Sequence, residues 1–206
     1  MENKTITDHF RRNIFEAYSH YNAWKVIAYS KSKGVVSEKM AERYVQVQNY
    51  HSAFFSLSER AFLISFIMLV LHSFDKDDRS FSLWKIDSEK TELFSLQNES
   101  ILTELSLVRN KLFAHSDIDP QSGTLVSYDV PSVERLDVFF KNLLDFYNTL
   151  SREVDQSLTL FDGAEEIKRT VELLFMNLYR GENVRLKEID IEWTWEKDDK
   201  KISDII

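Results

Sequence analysis

An all-α bundle with a small β appendage is the fold class that the sequence predicts, on three observations. Only four Gly and two Pro occur among 206 residues, too few for the many tight turns of an all-β protein. Hydrophobic residues make up 43% of the chain and aromatics 13%, enough to bury a sizeable core and to exclude a disordered chain. Apolar residues recur at helical spacing over most of the length, whereas near the C-terminus they alternate with period two. With no internal repeat and no strong composition shift, residues 1–206 read as a single helical domain, residues 184–206 being its strand-like tail.

The elements follow in order. Thr7 is placed to cap a first helix running to about Ser32, with Phe10, Ile14, Ala17, Tyr21, Trp24 and Ala28 on one face. Gly34 breaks it, and Ser37 caps a second, longer helix reaching about Phe74. The second half of that helix is apolar nearly all round, which predicts a central place in the bundle. Asp75 to Arg79 reads as a charged loop and Phe81 to Ile86 as a short extended piece. From Ser88, a plausible cap, helical periodicity returns, with a break near Ser95–Asn98, and continues through Ile101, Leu105, Val108 and Leu112. Asp119-Pro120 and Gly123 mark a loop in which Val126, Tyr128 and Val130 alternate like a short strand. Pro131 or Ser132 opens a helix carrying Leu136, Phe139, Phe140, Leu143 and Tyr147, and Gly163 precedes a last helix ending near Arg180-Gly181. In the tail, Ile189, Ile191, Trp193 and Trp195 alternate with polar residues, which predicts a strand.

Several function classes recede on composition. The formal net charge of -8 argues against a broad, nonspecific nucleic-acid surface, while leaving room for a local site with a few well-placed cations. Cysteine is absent, which excludes disulfides and thiolate metal sites and fits a reducing compartment. His9, His20, His51, His72 and His115 are scattered with no metal-ligand spacing, so neither a metal nor a cofactor is expected. The polar, charged N-terminal segment does not read as a signal peptide, and the apolar run Ala61 to Leu71 is too short for a span. The expectation is a cytoplasmic protein with no membrane segment.

The run Arg109-Asn110-Lys111-Leu112-Phe113-Ala114-His115 carries the chemistry. With Leu105 at zero on a helical wheel, Val108 falls at about −60°, Leu112 at about −20° and Leu102 at about +60°. Arg109 lands inside this apolar stripe at about +40°, and His115 at its edge near about −80°. A permanent charge on an apolar stripe is costly unless it is paired or reaches a wet cleft. Two explanations stand: a buried carboxylate, with Glu59 or Asp145 as partners, or a functional cleft. Arg can hold an anionic phosphate and His can move protons near neutral pH, which suffices for metal-free RNA cleavage. There the substrate's 2′-OH attacks the adjacent phosphate, His115 serves as general acid or base, and Arg109 steadies the developing charge. Asn110 is placed to orient the imidazole or to contact phosphate.

An Arg, a polar residue and a His at this separation form the signature of the HEPN superfamily, and the fuller run RNKLFAHSD resembles its abortive-infection branch, associated with phage defence. The motif covers only these residues, though the succession of helices around it is also similar to a HEPN bundle. The resemblance implies a four- or five-helix bundle that forms a homodimer, with Arg and His of both subunits lining one cleft. It further implies a metal-independent endoribonuclease of toxin or phage-defence type, with Arg109 and His115 catalytic and Asn110 supporting. Many toxin-type relatives pair with an antitoxin protein, and some carry a tyrosine two residues after the His where the antitoxin adds AMP. That position is Asp117 here, which removes the basis for borrowing that regulation. The alternatives are a non-catalytic HEPN-like module binding RNA, a nucleotide or a protein partner in the same cleft, and a plain helical scaffold with Arg109 satisfied by a buried acid.

Elsewhere the plain readings lead. Trp193 and Trp195 suit a core or dimer seam better than base stacking. Arg11-Arg12 with His9, and the pair Lys31/Lys33, read as solvated helix faces, His51 and His72 as structural, and Glu196 to Lys201 as a frayed end.

Overall fold

A computed structural model of the chain describes residues 2–30, 32, 37–77, 79–80, 82–113 and 129–188. The described residues form seven α-helices and one 3-10 turn, with no strand among them: α1 (Glu2–Tyr29), α2 (Glu38–Tyr50), α3 (Ser52–Ser73), the turn Leu83–Lys85, α4 (Ser88–Gln97), α5 (Glu99–Phe113), α6 (Val133–Asp155) and α7 (Asp162–Glu188). The fold is all-α.

Helix α1 is the axis of the bundle, packed against α3, α6 and α7. Its expected face is buried, and Tyr21 sits where aromatic rings from three helices meet. Its ring stacks 4.6 Å from Phe140 of α6 and meets Phe66 of α3 edge-on at 5.7 Å. The Tyr21 hydroxyl donates to Asp137 Oδ1 at 2.7 Å, so burial and this carboxylate together push its pKa well above the usual phenol range. A second, smaller cluster joins Val26 and Ile27 of α1 to Tyr44 and Val47 of α2, Phe55 of α3 and Phe175 of α7.

Ser37, Asp87 and Ser132 cap α2, α4 and α6, each accepting from the amide three residues on. Several boundaries depart from expectation for tertiary reasons. Helix α1 begins before Thr7, whose buried side chain is no cap; its hydroxyl donates to Asp155 Oδ2 at 2.8 Å and pins α1 to the end of α6. The single long helix expected from Ser37 is two helices that part at His51 (φ −111°, ψ 38°), which lets α2 pack on α7 while α3 packs on α1. No Gly or Pro announces that break. Leu83–Lys85 is a 3-10 turn rather than an extended piece, with Leu83 fully buried. Asp87, not Ser88, caps α4, and the break before α5 falls at Asn98.

Helix α7 starts one residue before Gly163 and runs through Gly181, so residues 184–188 are helical rather than part of a strand-like tail. Gly163 serves close packing instead of breaking the helix: a Cβ there would come within 3.3 Å of the Phe15 ring on α1. The remainder of the predicted β appendage, including Trp193 and Trp195, lies outside the described residues, as do Lys31, Lys33, Asp119-Pro120 and the start of the strand read from Val126.

Helix α3 also departs from expectation. Its 22 residues are long and apolar enough, by length and composition, to cross a membrane, which the shorter run Ala61 to Leu71 did not suggest. Nor is it enclosed. Phe55, Leu63, Phe66, Ile67 and Val70 face the interior, but Phe54, Leu57 and Met68 are exposed.

Candidate functional site

Helix α5 turns Ile101, Leu105 and Val108 into the core, where each is buried. Arg109 stands at the edge of this stripe and is half-buried. It does not enter the dry interior. It lines a groove of about 580 Å³ bounded by the C-terminal end of α3, the segment 74–76, α4 and α5. The apolar stripe of α5 is therefore narrower than the wheel implied, since Leu102 and Arg109 on its positive side form groove wall.

Neither carboxylate proposed to bury Arg109 reaches it; among the described residues it makes no ion pair. Its guanidinium is held by neutral acceptors. Nε and Nη2 donate to Asn110 Oδ1 at 3.1 and 3.0 Å, and Nη2 reaches Ser106 Oγ at 3.4 Å. Nη1 makes no hydrogen bond among the described residues, leaving donors for an anion in the groove. Arg135, one helix away, gives the contrast: Glu104 takes its two terminal nitrogens at 2.6 and 2.8 Å, and Ser100 accepts a third bond. That pair holds the Glu104 carboxyl below its usual range and leaves Arg135 occupied.

The rest of the groove is amphipathic. Met68, Leu71, Phe74, Leu96 and Leu102 supply apolar wall. Trp84 donates from Nε1 to the Phe74 carbonyl at 3.0 Å, and Lys76 lies 4.3 Å above its ring. Asp75, Glu92 and Glu99 add negative charge. Asp75 is held below the usual carboxylate range, first by the Asp77 amide and then by the Ser80 hydroxyl, so it stays charged.

Of the residues singled out from the sequence, Arg109 and Asn110 are adjacent and bonded, with the Asn110 carbonyl oxygen engaged by arginine rather than by an imidazole. His115, two residues after Phe113 in the sequence, lies outside the described residues. Arg11, on the exposed side of α1, pairs with Asp8 at 2.9 Å. His72 is the residue that sequence reasoning missed. Read as structural, it is exposed at the end of α3 and lines the same groove as Arg109. Only the packing of α3 on α5 brings the two together, and no local motif signals it.

Set against family models, curated proteins and solved structures, the chain matches none of them.

Proposed function

We propose that this chain is a HEPN-like, metal-independent endoribonuclease of toxin or phage-defence type, working as a homodimer. The observation that carries the reading is the state of Arg109: a half-buried guanidinium in a groove, oriented by Asn110 and Ser106, with no carboxylate to neutralise it. Arg135, locked to Glu104, shows the contrasting, occupied state.

The chemistry follows from the residue types. Arg109 Nη1 donates to a non-bridging oxygen of the scissile phosphate. The substrate's 2′-oxygen attacks phosphorus while one His115 accepts its proton, and the leaving 5′-oxygen takes a proton from a second. The products are a 2′,3′-cyclic phosphate and a free 5′-OH. In the homodimer reading the two histidines, in opposite protonation states, are His115 of both subunits, which would border one cleft.

The test is incubation of structured RNA with purified protein in EDTA, beside Arg109→Ala and His115→Ala. Each variant is expected to lose about 100-fold or more of the cleavage rate, while Arg109→Ala shifts stability by less than about 0.5 kcal/mol. Equal cleavage by all three proteins would sink the site. A loss of several kcal/mol in Arg109→Ala would return the residue to a structural role.

A second reading has its own observation. Asp75, Glu92 and Glu99 line the groove with Arg109, and the chain carries a net charge of -8; both repel phosphate. They favour a non-catalytic HEPN-like module whose groove takes a protein partner, an antitoxin among the candidates. Absence of cleavage of any RNA, with the protein folded, would select it.

A further inference from the structure

Helix α3 carries a second apolar face. Phe54, Leu57, Ala61, Ile64, Met68 and Leu71 follow one another at intervals of three, four, three, four and three residues, the repeat of a coiled-coil seam. Phe54 is 57% exposed, Leu57 71% and Met68 41%. Arg60, at the edge of the stripe, is the one charged side chain on this side of α3, so no like charges would crowd a pairing.

We infer that this face is the seam along which two copies of the chain pair, with their α3 helices parallel. From Phe54 to Leu71 the strip is about 25 Å long. A standard interface buries roughly 800 Å² per partner, so the strip would form its centre with neighbouring surface completing it. Leu96 of α4, 64% exposed and on the same groove as Met68, extends the patch. A bilayer is the poorer occupant. Phe55, Leu63, Phe66, Ile67 and Val70 already bury one side of α3 within the bundle, which leaves it no free circumference for a span. A helix lying in a membrane interface carries Lys and Arg on its polar side, where α3 has one Arg and one Glu in all.

The orientation rests on the reading of a shared Arg/His cleft. Met68, Leu71 and His72 at the C-terminal end of the stripe are also wall of the Arg109 groove. In a parallel pair these ends lie side by side on the two-fold axis, and the two grooves open towards each other. In an antiparallel pair Leu71 would face Phe54 of the partner subunit, and the grooves would stand about 25 Å apart. Only the parallel pair joins them.

Because the chain has no cysteine, single substitutions give unique probes. Leu57→Cys and Met68→Cys are prepared separately, checked for unchanged melting, oxidised, and run on non-reducing gels beside light scattering of the unmodified protein. A disulfide needs Cα atoms within about 7 Å. The expected result is a dimer in solution and a covalent dimer from each variant alone. Crosslinking only when the two variants are mixed means an antiparallel pair and overturns the inference. So does a monomer, whether it binds vesicles of phosphatidylglycerol and phosphatidylethanolamine or shields the M68C thiol until residues 189–206 are deleted. RNA cleavage by the unmodified protein is scored alongside: crosslinks without cleavage keep the seam and remove the ribonuclease, and Arg109-dependent cleavage without crosslinks does the reverse.

Discussion

Helices α3 and α6 are nearly equal in length, 22 and 23 residues, and both pack on α1, yet they treat apolar side chains in opposite ways. Helix α6 sorts its residues cleanly. Leu136, Phe139, Phe140, Leu143, Tyr147 and Leu150 are buried, while Glu134, Asp137, Lys141, Asp145, Arg152 and Glu153 face solvent. Helix α3 buries Phe55, Phe66, Ile67 and Val70 and leaves Phe54, Leu57 and Met68 outside. On α6 an apolar residue reports the core, with Val138 as the exception. On α3 the same residue type reports either the core or a second surface, and only position distinguishes them.

The largest expected effect tests that division on α3 itself. Phe66 is fully buried between Tyr21, Trp24 and Phe140, so Phe66→Ala should cost about 3–5 kcal/mol in urea unfolding. Leu57→Ser, on the outer face, should cost less than about 0.5 kcal/mol at concentrations where the chain is monomeric. Equal losses would erase the two-face description. Next in size is the cap of α6: Ser132 Oγ accepts from the Arg135 amide, and Ser132→Ala should cost about 1 kcal/mol in the same assay.

The smallest effect appears only with pH, at the boundary between α1 and α3. Burial lowers the pKa of His20, whose ring lies 5.7 Å from Phe62, below the ordinary 6.5. The unfolded chain therefore takes up this proton at a higher pH than the folded one. The His20 contribution is intact above pH 6.5 and is lost as pH falls through that value towards the folded pKa. His20→Gln should narrow the difference in melting temperature between pH 7.5 and 5.5, and an unchanged difference would assign the slope to other groups.

The α1 face, the Ser37 cap, the helix start at Pro131 or Ser132 and a break near Ser95–Asn98 were all legible in the sequence, because caps and periodicity are local. The break at His51 was not, since the chain bends there to give α2 a place on α7, a cause more than a hundred residues away. The all-round apolar character of α3 was read as enclosure, although half of it faces outward; composition counts apolar residues without saying what covers them. Arg109 stood out on the wheel as a charge needing a reason. On the wheel a buried acid was the plainer of the two explanations, and the position of α3 and α4 beside α5 decides for the groove. His72 was invisible as a neighbour of Arg109 for the same reason.

The ties between the two ends of the chain carry a consequence for synthesis. Tyr147 donates to the Thr7 carbonyl, Thr7 to Asp155, and Asn22 to the Ala164 carbonyl, so α1 is closed by partners made some 140 residues later. At roughly 5–20 residues per second, α1 leaves the ribosome roughly 7–28 seconds before these partners in α6 and α7 can cover it. Helix α3 arrives early and shields one side, but Tyr21, Phe10 and Ile14 wait for the rest. The nascent chain therefore presents a long aromatic surface until its second half emerges, and a truncated product cannot complete the core.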